Sequence, residues 1–225
     1  MATTGTTTFN LDLAEIIDES WERATSDEPR SGYDFRTARR SLNLLLTEWA
    51  NRGFNMWAVE EGSIAMVAST ATYNLPEDTV DLIDHVIRTG SGTSQNDLVL
   101  TRIGVSTYAS IPNKNVTGRP IQLYIDRQIT PTVTVWPVPD ASSTYTLRYW
   151  RLRRFEDAGH GVNTQDIPFR FLPALVAGLA FYIAQKKPEG QPRLQTLKQE
   201  YEEAWLMAST EDREKASITF YPKAR

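Results

Sequence analysis

One stretch of the chain, from Val135 to Ala184, constrains the fold more than any other. It reads WPVPD, then the polar-aromatic run TYTLRYWRLRRF, then a loop ending in DIP, then the apolar run FRFLPALVAGLAFYIA. A strand that reaches Trp136-Pro137-Val138-Pro139 cannot extend its ladder, because neither proline has an N–H to donate. The chain must turn at Asp140–Ser143 and return as a long strand. That strand hands over to a helix opened by Asp166 and Pro168. A β module therefore ends here and a helical module resumes, and nothing in the stretch has the makings of a catalytic centre.

Helical periodicity also precedes the β module. Ala14, Ile17, Trp21 and Ala24 share one stripe, predicting a helix from Leu11 to about Ala24 with Asn10 as its cap. A second helix is predicted from Asp34 to about Asn51, on Phe35, Ala38, Leu42, Leu45 and Trp49. Leu44 and Leu46 widen its apolar arc, and Gly53 stops it. From Met56 to Phe155 the pattern turns strand-like. The predicted strands are 63–68, 71–75, 82–89, 97–103, 120–125, 132–136 and 144–155, with a short helical turn over 105–111. Two more helices follow, 168–187 and 192–208. The expected fold class is α+β: a helical bundle of N- and C-terminal helices with an inserted antiparallel β domain, a small sandwich or barrel. The expected divisions are 1–56 (arm and first helices), 57–160 (β domain), 161–210 (last helices) and 211–225 (a docking tail).

Composition removes several functions. The 225 residues contain no cysteine, so disulfides, zinc-thiolate sites and cysteine nucleophiles are excluded, and secretion by an oxidising route gains no support. A net charge of −4 argues against a dedicated nucleic-acid binder. MATTGTTTFN lacks the features of a signal peptide and reads as an extended or flexible arm. The longest apolar run, Leu172 to Ala184, is too short to span a bilayer. A soluble intracellular product is expected, with no membrane partner.

No phosphate loop, dinucleotide fingerprint or nucleophile elbow occurs. The two histidines, His85 and His160, lack a second ligand at local metal spacing, so no catalytic, cofactor or metal residue is expected, and no cofactor. The arginines 148, 151, 153 and 154, beside Tyr149 and Trp150, could track a nucleic-acid backbone. Alternation splits them, Arg148 and Arg154 to one face and Arg151 and Arg153 to the other. Arginines lying over aromatic surface and pairing with nearby acids is therefore the favoured reading. Arg148 and Arg154 remain the candidates for a DNA- or lumen-facing role. The tail Ser217–Arg225 carries Ile218, Phe220 and Tyr221 and either docks on a partner or folds back on its own subunit.

Several motifs in order carry a resemblance: LNLLLTEWANRGFNMW, TYNLP with EDTVDLIDHV, WPVPD leading into LRYWRLRR, and DIPFRFLPALVAGLAFYIAQ before a last charged helix. Over roughly residues 34–208 the chain resembles the head-to-tail adaptors of tailed bacteriophages, the head completion or tail tubular protein A-like proteins. The resemblance implies a structural virion protein of the neck, assembled in the host cytoplasm. It implies a homo-oligomeric ring, twelvefold by the family pattern, beneath the portal protein after DNA packaging, and a platform for the tail nozzle. DNA would pass through the ring without specific binding, as an acidic wall permits. The C-terminal segment would engage the portal, with Ile218, Phe220 and Tyr221 as apolar anchors and Lys223 and Arg225 as charged partners. The competing readings are a tail or baseplate component whose β domain binds a host-surface ligand, and a virion-borne cell-wall hydrolase.

Overall fold

The structure, a computed structural model, describes residues 3–25, 29–53 and 56–212. The chain divides into two compact units, Met1–Trp57 with Phe155–Arg225, and Ala58–Arg154. The first is helical in its described residues and the second is a β sandwich, so the expected α+β class holds.

The helical unit contains α1 (Leu13–Thr25), α2 (Gly32–Asn51), α4 (Leu172–Ala184) and α5 (Leu194–Glu211). α1 starts two residues later than its periodicity predicts. Asp12 and Glu15, not Asn10, form the reciprocal cap: the Glu15 N–H donates to the Asp12 carboxylate at 2.9 Å and the Asp12 N–H to the Glu15 carboxylate at 3.0 Å. The next N–H groups of α1 donate to a distant loop, Leu13 to the Asn163 carbonyl and Ala14 to the Gly161 carbonyl. α2 opens with the same device, Ser31 and Asp34. The Ser31 hydroxyl and N–H, with Lys187 behind them, hold the Asp34 carboxyl at about 2. Of the two leucines expected to widen the α2 arc, Leu46 is buried and Leu44 lies exposed.

α4 packs against α1, α2 and α5, which explains why ten of its thirteen residues are buried on all sides. Gly178 permits this crowding, because a Cβ there would lie 2.9 Å from the Tyr201 ring and 3.0 Å from Leu45. Aromatic rings from both segments of the unit close it. Trp57, the last residue before the β unit, stacks on Phe155, the first after it, with ring centroids 5.3 Å apart. Phe171 bridges Trp57 at 4.4 Å and Trp49 at 5.8 Å.

The β unit holds β1 (Val59–Ala65), β2 (Thr72–Asn74), β3 (Thr79–Thr89), β4 (Asn96–Val99), β5 (Thr101–Ile103), β6 (Gln122–Asp126), β7 (Thr132–Trp136) and β8 (Tyr145–Arg153), with the short helix α3 (Val105–Ser110). Two four-stranded sheets form, ordered β1-β8-β3-β4 and β2-β7-β6-β5. The strands pair antiparallel except β5 with β6, which the α3 crossover joins in parallel; an isolated bridge between Thr117 and Val138 is also parallel. Leu82, Ile87, Leu147 and Tyr149 of one sheet share a core with Leu123, Ile125, Val133 and Val135 of the other. Tyr149 lies over Gly62 on β1, the place where a Cβ would fall within 2.4 Å of its ring.

The single strand expected over 97–103 is two strands in different sheets. Leu100, between them, turns inward to the core at 3% exposure, so the chain changes sheet at that residue. β1 and β8, the first and last strands, pair side by side, Val59 opposite Leu152. Entry and exit of the β unit are therefore neighbours, the arrangement that lets a domain be spliced between two segments of another.

Candidate functional site

The polar groups of the β unit are largely spent on one another. β8 continues its inward face from Leu147 and Tyr149 to Arg151, which is 8% exposed. That guanidinium is neutralised by Asp78 at 2.6 Å and Glu60 at 2.5 Å, with the Thr79 hydroxyl at 3.0 Å. On the other face, Arg148 is ion-paired with Glu61, and Arg88 forks onto Asp97 with two 2.7 Å bonds. Arg102 and Arg127 share Asp81, at 2.8 and 3.3 Å. Arg154 follows the end of β8 with its side chain exposed, roughly 20 Å along the strand from Arg148 at about 3.3 Å per residue. The two are not brought together into one cationic patch.

The histidines are equally separate. His85 is buried in β3, and burial pushes its imidazole below the ordinary value, with Asp84 acting against that and Arg102 with it. His160 sits exposed in the turn that closes on α1, its N–H donating to the Asn163 side chain at 2.7 Å. Among the described residues no group of three or more His, Asp or Glu could hold a metal ion. No helix among them is long and apolar enough to cross a membrane.

A polar network ties three helices of the helical unit together. The Trp49 indole N–H donates to the Tyr201 hydroxyl at 2.8 Å, and Tyr201 and Tyr182 both donate to Glu48, at 3.2 and 2.6 Å. Burial, then Glu48, pushes the Tyr182 phenol up to about 12. Arg52 completes the network, forking onto Glu202 and lying 4.7 Å over the Tyr201 ring. The helices so joined are α2, α4 and α5.

The concave feature of this unit lies elsewhere. A groove of about 1000 Å³ runs between the N-terminal arm, α1 and the start of α4. Its apolar wall is Phe9, Leu11, Phe169, Leu172, Pro173 and Val176, and its acidic wall is Glu15, Asp18, Glu19 and Glu22 of α1. Phe9 is 76% and Phe169 77% exposed, so two phenyl rings of the lining face solvent. Asp18 is paired with Arg30 and Glu19 with Arg23. Glu15 and Glu22 make no ion pair among the described residues. Sequence periodicity does not reveal this groove, because its walls come from segments about 150 residues apart. The one local hint is Phe169, an aromatic just ahead of a helix that has no free face to bury it. The portal-binding candidates Ile218, Phe220, Tyr221, Lys223 and Arg225 lie outside the described residues.

These features describe a scaffold with an uncovered groove beside α1. The model of the SU10 adaptor protein family matches residues 11–220. The chain belongs to the SU10 adaptor protein family. This is a phage head-to-tail adaptor family, so the protein is a structural component of a bacteriophage virion. The match runs through both units, so the β unit is part of the adaptor. No curated protein matches the chain.

Proposed function

We propose that this SU10-family adaptor forms a ring, twelvefold by the pattern of head-to-tail adaptors, beneath the portal after DNA packaging. The ring serves there as the platform for the tail nozzle, in the neck of a virion whose parts assemble in the host cytoplasm. The observation that carries this reading is the family match across nearly the whole chain. Uncovered apolar side chains on the helical unit support assembly: Leu206 and Met207 on α5 are 63% and 73% exposed, and Tyr33 and Leu44 on α2 are 67% and 54% exposed. A closed ring of heterologous contacts would bury such positions.

In this reading the C-terminal segment engages the portal through Ile218, Phe220 and Tyr221, with Lys223 and Arg225 pairing with portal acids. Burial of the three apolar side chains contributes ~1.5–3 kcal/mol each before the ordering cost. Repetition around the ring multiplies that weak contact. Arg154 is the stronger candidate for a lumen-facing charge. The pairing of Arg148 with Glu61 leaves little net charge to hold DNA, in keeping with free passage. The chain does its work by binding and has no reaction to catalyse. The β-domain host-ligand reading draws no comparable support. The large apolar side chains most exposed on the β unit are aliphatic, led by Ile129 and Val99, with neither Trp nor Tyr among them. Deleting Ser217–Arg225 and measuring both melting temperature and portal binding tests the tail assignment. Lost portal binding by a chain that still unfolds cooperatively is expected, and retained binding would refute it.

A further inference from the structure

We infer that the groove between the N-terminal arm, α1 and α4 is the seat of the chain's own C-terminal segment, residues 213–225, in the free protein. This goes beyond the portal reading and holds whether or not the segment reaches a portal.

The first argument is position. The described chain ends at Asp212, whose carboxylate is ion-paired with Arg170. Arg170 is the neighbour of Phe169, which stands in the groove wall. The segment therefore starts beside the groove. The six residues from Asp212 to Ile218 can span up to ~20 Å, and all thirteen from 213 to 225 up to ~43 Å.

The second argument is charge. The groove lining holds four carboxylates, Glu15, Asp18, Glu19 and Glu22, set against Arg23 in the lining and Arg30 paired to Asp18, a balance of −2. Residues 213–225 hold Arg213, Lys215, Lys223 and Arg225 against Glu214, a balance of +3. Glu15 and Glu22, without ion pairs among the described residues, are the acids most available to those cations.

The third argument is apolar cover. Ile218, Phe220 and Tyr221 are the side chains that the exposed faces of Phe9 and Phe169 lack, and the groove can take them with Leu172 and Pro173 as its floor. Tethering supplies the rest. A tether of a few residues sets an effective concentration of about millimolar, so a contact too weak to hold a free peptide still holds this one. The seated segment covers its own apolar residues, and any partner that captures them must first draw them out.

The absence of cysteine makes a direct test possible in the full chain. Glu22→Cys is combined with Thr219→Cys, and separately Thr7→Cys, another lining position, with Ala224→Cys, so that the result does not hang on one variant's folding. A third chain combines Thr47→Cys, an exposed α2 position that does not line the groove, with Thr219→Cys. Oxidation is followed by non-reducing electrophoresis at several dilutions, without portal. A disulfide forms only if the two Cα atoms come within about 7 Å. The groove pairs are expected to close within one chain, at a rate independent of dilution and at least about tenfold above that of the Thr47 pair. Phe220→Ala with Tyr221→Ala in the Glu22 background should slow closure about tenfold. Disulfide-linked dimers that vanish on dilution would assign the groove to a second copy's segment and overturn the inference. Equal rates for all three pairs would overturn it by showing no preferred seat. Neither result bears on portal binding, which is measured separately.

Discussion

The two units spend their charges in opposite ways. In the β unit, Glu60, Glu61, Asp78, Asp81 and Asp97 are each taken up by an arginine, and the ion pairs run across strand boundaries. Like cross-strand side-chain pairs in general, they fix register more than they add stability. In the helical unit, Glu48 and Glu202 are drawn into a network with Arg52, while α1 keeps Glu15 and Glu22 beside an uncovered apolar groove. A carboxylate that is already matched has little left to offer a partner. A surface that pairs unmatched carboxylates with exposed phenyl rings has both attraction and apolar area to give. The groove beside α1 is a surface of the second kind.

The largest effect expected from breaking this contrast is at the helical scaffold. Trp49→Ala removes a fully buried ring and leaves the Tyr201 hydroxyl without its indole donor. A loss of ~3–5 kcal/mol is expected from the cavity alone, read as a fall in the denaturant midpoint. An unchanged midpoint would mean that the aromatic cluster does not hold this unit together. In the β unit, Arg151→Met takes the bridging cation from Asp78 and Glu60 and leaves Glu60 only the longer contact to Arg153 at 3.9 Å. Because both acids are about half exposed, the expected cost is smaller, ~1–3 kcal/mol. Arg151→Lys should restore only part, since an ammonium cannot bridge both carboxylates as the fork does.

Much of the architecture was legible in the sequence. α2 and α4 follow from apolar spacing because each buries enough leucine and alanine to outweigh its surroundings. β7 stops at Trp136 for the reason its prolines give. The failures are physical as well. β1 begins at Val59, four residues ahead of the predicted strand, because Glu60 and Glu61 look like loop until Arg151 and Arg148 are placed beside them. The break at Leu100 is hidden because a core leucine at a sheet corner keeps the strand alternation unbroken. The groove left no periodic trace, since an arm, a helix face and a helix start make it jointly.

Acid should separate the units further. The folded-state pKa of His85 is depressed by burial, so the unfolded chain binds its proton first. The stability contributed by the neutral ring is present above the unfolded value of 6.5 and is lost as pH falls below it. Asp34, held at about 2 against 3.8, loses its contribution only below about pH 4. Denaturant midpoints measured from pH 7 to 4.5 should therefore fall with a His85-dependent slope, and His85→Leu should flatten it. A slope unchanged in that variant would assign the acid sensitivity elsewhere. The smallest effect is expected for Arg148→Ala, at most ~1 kcal/mol, as for other partly exposed pairs. A larger loss would mean that the outer face of this sheet is part of the core support.

The central claim is that this chain is a head-to-tail adaptor that works as a ring on the portal. Mixing the purified protein with portal rings, and measuring the mass of the complex by native mass spectrometry with its image by electron microscopy, tests that claim most directly. A complex with about twelve added chains stacked on one face of the portal is the predicted result. Portal rings that keep their own mass at saturating protein, together with virion necks that lack the chain, would contradict it.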